Sequence, residues 1–315
     1  MGNLRVSNET ILAKIEVTYN TDPVPVVGTN AILVMNPAFS AEGLRMNERP
    51  SIRASLGDVQ AVFGGRLARL NFDVEAKGSG TAGTAPELGP LLRGCAMGET
   101  LVAVTSATYK PISTTHESLT FYYYEGGRKL HKITGARGTF SFKVTAGGLG
   151  MFTFSFVGHY TEPTDIAQPV PVYNATVPKA ALSMAIAVGG VNVVTREWSV
   201  DVANTIAMPP SLAAADGYSE IQITNRNVAG SMTIESELAS VIDVDTQLKA
   251  GTGSTFGSGT LGSVAGNRLV VSSATSGLYW KGVSLSDGDG LRLRTMAFGL
   301  VESASLNDEM AIAWT

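Results

Sequence analysis

Hydrophobic and polar positions alternate with a period of two through much of the chain. In residues 66–76, Leu70, Phe72, Val74 and Ala76 fall on one side and Asn71, Asp73 and Glu75 on the other. That spacing predicts a strand with one packed face and one wet face. Four more strand-like segments follow at 119–125, 130–134, 139–146 and 151–160. Gly126-Gly127 and Gly135-Ala136 stand between them where hairpin turns belong. In the last segment Phe152, Phe154 and Phe156 share a face, which predicts a strand turned to the core.

The prolines Pro163, Pro169, Pro171 and Pro178 then break the pattern. Proline fixes an extended path and ends sheet pairing. The predicted organisation is a first β-sandwich module with an N-terminal arm over residues 1–162, a linker over 163–178 and a second module over 179–315. A similar order of elements recurs after the linker. Residues 181–188 and 192–203 read as a hairpin around Gly189-Gly190, followed by strands at 219–224 and 230–235. A helix is predicted over 236–249, capped by Ser236 and ended by Gly251, with Leu238, Val241, Ile242 and Leu248 inward. Strands follow at 267–273, 277–286, 291–300 and 309–314. The first half has its own short helix at 86–97, opened by Pro86 and Glu87. Two long segments, 42–65 and 204–218, are not simple turns. The first carries Arg45, Arg49 and Arg53, and loops of this length usually serve function or meet a partner.

Composition narrows the class. Of 315 residues, 44% are apolar and 16% charged, which excludes a disordered chain. Apolar runs are too short for a membrane-spanning helix, and residues 1–10 lack the apolar stretch of a secretory signal. The single cysteine, Cys95, forms no internal disulfide and reads as a buried thiol in a protein made in the cytoplasm. Residues 1–162 hold 15 Lys/Arg and 13 Asp/Glu, a net +2; residues 163–315 hold 8 and 14, a net −6; together they give the −4 of the whole chain. That balance argues against a grip on nucleic acid by phosphate neutralisation.

Candidate chemistry is sparse. Gly78, Gly80 and Gly83 spell a G-x-G-x-x-G between a strand and a helix. A dinucleotide site needs a doubly buried strand and a helix that starts inside the motif; here the strand alternates and Pro86 delays the helix. Asp287-Gly-Asp289-Gly290 lacks the further ligands of a calcium loop and reads as a hairpin turn. His116, His131 and His159 have no zinc spacing and are expected at solvent or a subunit contact. No nucleophile elbow occurs. No catalytic, cofactor or metal residue is therefore assigned. Tyr122, Tyr123 and Tyr124 can form a stacking platform, as in a carbohydrate-binding β-sandwich adhesin, or divide between the core and a subunit contact.

Five ordered segments carry a resemblance. They are Phe72-Asp-Val-Glu75, the stretch GTAGTAPELGPLLRGCA over residues 80–96, ATYKPIST over 107–114, the tyrosine strand at 118–125, and KITGARG over 132–138. Together these resemble the major tail tube proteins of long-tailed bacteriophages, most closely over residues 66–165. The second half resembles the family in element order and in Ala265-Gly-Asn-Arg268 and the Asp287–Gly290 turn. The resemblance implies a mainly β protein with two tandem tail-tube-type sandwiches, each flanked by a short helix, with long loops and arms. It implies a structural role in the virion: rings, here a homotrimer with pseudo-sixfold symmetry, stacked into a hollow tube that conducts DNA. Partners would be other copies, the tape-measure protein and DNA in the lumen, and terminator and distal tail proteins at the ends, with no membrane insertion and no cofactor. By analogy Asn71, Asp73 and Glu75 face the lumen. Arg45, Arg49, Arg53 and the arm at 1–28 would supply contacts between rings.

Overall fold

A computed structural model describes residues 8–315; residues 1–7 of the expected N-terminal arm lie outside the described residues. The first half contains β1 (Thr10–Ile15), β2 (Ala31–Ile32), β3 (Met35–Glu42), β4 (Met46–Asn47), β5 (Val62–Phe63), β6 (Leu67–Glu75), α1 (Gly89–Gly94), β7 (Met97–Val102), β8 (Ser106–Pro111), β9 (Leu119–Glu125), β10 (Lys129–Thr145) and β11 (Met151–Asp165). The second contains β12 (Ile186–Val188), β13 (Val191–Val193), β14 (Thr195–Asp201), β15 (Thr205–Ala207), β16 (Gln222–Asn225), β17 (Ala229–Glu235), α2 (Val244–Ala250), β18 (Phe256–Ser258), β19 (Leu269–Ser273), β20 (Leu278–Gly288), β21 (Leu291–Leu300) and β22 (Met310–Trp314). The fold is mainly β, with two short helices among the described residues.

Two large antiparallel sheets face one another. In the larger, an unbroken path runs β3-β6-β11-β10-β14-β17-β21-β20 and crosses both halves of the chain. The first part of β10 turns off this path to pair with β9, which continues to β1 and β2. The second sheet runs β13-β12-β18-β19-β22-β8-β7, so β22 joins the second half to the first. Between the sheets lies one cluster of buried side chains drawn from Ile11 through Trp314. Aromatic rings carry it across the β10–β14 seam: Phe142 meets Trp198 edge-on at 5.2 Å, and Trp198 meets Phe256 at 5.3 Å. Such pairs add about 0.5–1.5 kcal/mol each beyond area burial.

The alternation at 66–76 is realised as β6, whose even-numbered members Leu70, Phe72 and Val74 are buried. Phe152, Phe154 and Phe156 line the core side of β11 as their spacing predicts. Three expectations need correction. The segments at 130–134 and 139–146 form one 17-residue strand, β10, because Gly135-Ala136 makes a bulge and not a turn. Gly135 takes φ +60° there, and its N–H donates to Glu16 Oε1 at 2.7 Å. The helix expected from Ser236 begins at Asp243, whose carboxylate accepts from the Thr246 N–H at 2.9 Å. The Ser236 N–H is taken by Arg292 O instead, and Leu238, Val241 and Leu248 are exposed. The helix at 86–97 shortens to Gly89–Gly94, since Met97 already enters β7. Gly251 ends α2 in the left-handed region, as a C-terminal glycine should. β11 runs through Pro163 to Asp165 and stays paired with β10, so that proline does not end the pairing as expected; residues 166–179 have no helix or strand.

Candidate assembly interface

The outer face of the eight-stranded path is built by alternation. On β6, Asn71, Asp73 and Glu75 point away from the core, and their neighbours continue the same chemistry across the sheet. Asp73 accepts from Thr153 Oγ1 at 2.6 Å and from Asn36 Nδ2 at 3.0 Å. Lys143 pairs with Glu197 across the seam at 3.1 Å. Ser199 meets Ser231 at 3.2 Å and Thr233 meets Thr295 at 3.0 Å. The face is a lattice of hydroxyls and carboxylates shared by both halves. The structure thus brings Asn71, Asp73 and Glu75 together on it, as their spacing predicts.

The three arginines separate. Arg45 is tied within the chain: its guanidinium lies 4.0 Å over the Tyr218 ring and donates to Gly217 O at 3.3 Å. Tyr218 in turn donates to Gly43 O, so the 42–65 and 204–218 segments are fastened to one another. Gly65 has φ +119°, and a Cβ there would lie 2.1 Å from Asp216 O, so this approach requires glycine. Beyond that anchor the segment stands free. Arg49 and Arg53 are exposed, and the apolar Ile52 and Leu56 are fully so, at 105% and 109% of reference. Within this stretch Arg53 donates to Asp58 O at 3.1 Å.

The residues of the rival readings are engaged within the chain. The Gly78–Gly83 loop is filled by the chain itself: Gly78 N–H donates to Asn267 Oδ1 at 2.7 Å and Gly80 N–H to Gly266 O at 3.1 Å. A Cβ on Gly78 would meet Gly266 O at 2.0 Å, so the glycines serve a close approach of two backbones and leave no room for a pyrophosphate. All three tyrosines of β9 are buried. Tyr122 and Tyr124 pack with Leu12, Ala31 and Leu130, and Tyr123 packs beside Phe39 and His131, so no stacking platform is open. The expectation for the histidines is corrected for two of them. His131 is buried between Tyr160 Oη at 3.0 Å and Glu125 at 2.8 Å, and His159 between Tyr19 Oη at 3.0 Å and Asp216 at 2.5 Å. These interior hydrogen bonds satisfy rings that sequence spacing left unassigned. Cys95 is fully buried, and burial pushes its thiol well above the usual range, which leaves it unreactive. Asp287–Gly290 is the β20–β21 turn, with Asp289 and Gly290 at positive φ. Among the described residues, no group of three or more His, Cys, Asp or Glu side chains is placed to hold a metal ion. A cleft of about 400 Å³ between Ile112, Tyr279 and Val301 contains the Arg226–Glu309 ion pair. No described helix is long and apolar enough to cross a membrane.

Sequence reasoning missed β3 and misplaced β1: residues 10–15, expected in the arm at 1–28, form a strand buried between β2 and β9, with Ile11, Leu12 and Ala13 no more than 1% exposed. Phe39 on β3 is half-buried against the core, while Leu285 on β20 is 60% exposed. No curated protein matches the chain. The family described as phage tail tube protein matches residues 7–298. A match over that length, on a mainly β chain with these sheets, places this chain in the phage tail tube protein family.

Proposed function

We propose that the chain is the repeating structural subunit of a phage tail: copies close into rings, the rings stack into a hollow tube, and DNA passes through it to the host cell. One observation carries this reading, the unbroken eight-stranded sheet with a packed side and a hydroxyl-and-carboxylate side. Turned to the lumen, that second side presents Asp73, Glu75, Glu197 and Asp201 against Lys143, paired with Glu197, and Arg69, paired with Glu42. Phosphates find little to bind there, so DNA can slide. The tape-measure protein would occupy the same lumen before DNA, and terminator and distal tail proteins would close the ends. The role calls for no catalysis, cofactor or membrane insertion, and the subunit would be made in the host cytoplasm and end in the virion.

If the chain carries two modules, as expected at 1–162 and 179–315 with a linker at 163–178, three chains per ring would give six modules. Three chains of eight strands give 24 strands. At a spacing of about 4.8 Å and tilts up to about 40°, such a barrel is roughly 37–48 Å across at its backbone. That backbone diameter exceeds the roughly 10–12 Å of an α-helix with its side chains, which a helical tape-measure segment would need. Arg49 and Arg53, with Ile52 and Leu56, would reach the next ring, while Arg45 braces the base of that segment. Electron microscopy and native mass spectrometry test the reading. Purified chain should form tubes of three-chain rings, and Arg49→Glu with Arg53→Glu should leave rings that do not stack. A wild-type chain that stays monomeric at high concentration refutes the reading, and rings of six chains refute the stoichiometry.

A further inference from the structure

Among the described residues Lys77 is the one buried lysine, 2% exposed. An ammonium is costly to bury, and a buried ion pair by itself is weak evidence of a gain in stability. The groups around Lys77 fit a reaction. Its Nζ lies 3.0 Å from Glu87 Oε2 and donates to the main-chain O of Asn174 at 3.0 Å. The other oxygen of Glu87 accepts from the Leu33 N–H at 2.9 Å, which keeps Oε2 turned to the amine. The Asn174 side chain is held by both its polar atoms. Nδ2 donates to Gly78 O, one residue from Lys77, at 3.0 Å, and Oδ1 accepts from the Thr176 N–H at 2.9 Å.

A residue of the second half presses the two stretches together. Asn267 is buried; its Oδ1 accepts from the Gly78 N–H at 2.7 Å, and its Nδ2 donates to Val177 O at 2.9 Å. Residues 77–78 and 174–177 thus lie side by side although neither stretch belongs to a strand. Holding a nucleophile, a proton carrier and an amide in one fixed place is what makes a reaction between them fast.

We propose that Lys77 and Asn174 join in an intramolecular isopeptide bond, with Glu87 carrying the protons. The Lys77–Glu87 ion pair is the state of the freshly folded chain, and its stability is measured there. Glu87 Oε2 takes a proton from Nζ, and the freed amine attacks Asn174 Cγ. The Thr176 N–H, already on Oδ1, meets the negative charge that develops there, as a donor in an oxyanion hole does. The Cγ–Nδ2 bond then breaks and the Nζ–Cγ bond stays as an amide. Of the two protons that leave Nζ, one departs on Nδ2 as ammonia. The other stays on Glu87, so no lone charge remains buried. No electron is exchanged and no co-reactant is needed.

The bond fastens residues 166–179, which have no helix or strand, to the end of β6. It closes a covalent loop of about 100 residues, which restricts the unfolded chain and leaves the folded one as it is.

Intact-mass spectrometry tests this on the wild-type chain, with no substitution. On incubation after folding, the chain should lose the mass of one ammonia molecule. Digestion should then release two peptides joined through Lys77 and Asn174, with no trypsin cut after Lys77. Glu87→Gln should stop the loss. Asn174→Ala, which leaves the Lys77–Glu87 pair in place, should also keep its full mass and unfold at the midpoint of the freshly folded wild type, below that of the incubated one. Asn174→Asp should still join, with loss of water in place of ammonia. A folded wild-type chain that keeps its full mass on prolonged incubation overturns the proposal. So does loss of ammonia without joined peptides, the mark of a succinimide. Joining at an equal rate in Glu87→Gln overturns the part given to Glu87.

Discussion

The Lys77–Glu87 pair offers the most exacting test of how the first half is held together. Lys77 follows β6, and Glu87 lies just before α1. Their side chains are 2% and 9% exposed, with Nζ and Oε2 3.0 Å apart. Lys77 also donates to Asn174 O at 3.0 Å, and Glu87 Oε1 accepts from the Leu33 N–H at 2.9 Å. Removing one member of such a pair strands a charge in the interior and costs about 3–5 kcal/mol, whereas replacing both can be nearly neutral. Lys77→Met should therefore destabilise the chain by about 3–5 kcal/mol. Lys77→Met with Glu87→Gln should come back to within about 1–2 kcal/mol of wild type, since glutamine still accepts from Leu33 and carries no charge. Urea unfolding of the unassembled chain measures both, with an unchanged slope showing that the shift lies in stability. A single substitution costing under about 1 kcal/mol, or a double variant as unstable as the sum of its singles, would refute the coupling.

Two further outcomes follow from local geometry. The hydrogen bond from His131, reinforced by Lys129, holds the Glu125 carboxyl below its ordinary 4.5. A lowered carboxyl contributes its full stabilisation above the unfolded value and loses it as pH falls through the folded one. Glu125→Gln should thus flatten the stability profile below about pH 4.5 and leave it unchanged in slope near neutrality; an unaltered acid limb sinks the assignment. Gly78→Ala should cost about 1–3 kcal/mol or more by overpacking against Gly266 O, while Gly257→Ala, with open space around its Cβ, should be nearly neutral. Equal melting temperatures for the two variants would contradict this.

Much of the architecture was legible because alternation reports which face is wet. β6, β11, β21 and β22 lie where their periodicity puts them, and the face holding Asn71, Asp73 and Glu75 needs only the pleat. The failures have physical causes. β3 contains Asn36, Pro37, Ser40 and Glu42 and looks like a loop; it is a strand because β6 offers it a partner. A glycine in a bulge and a glycine in a turn look the same, so β10 was divided in two. Ser236 has the side chain of a helix cap, but its Oγ accepts from Arg294 Nε at 3.3 Å, and Asp243 caps α2 instead. Arg45, Arg49 and Arg53 look equivalent in sequence and are not, since only Arg45 meets an aromatic ring contributed by a distant segment.

The placing of β22 between β19 and β8 sets the tempo of folding. Its Trp314 lies opposite Ala107, so one sheet is completed only when residues more than two hundred positions apart have met. Closing a loop of that size loses chain entropy before any contact rewards it, and topologies rich in such contacts form slowly. The two halves thus ripen together, and neither offers a finished sheet to a neighbour while the other is still being made.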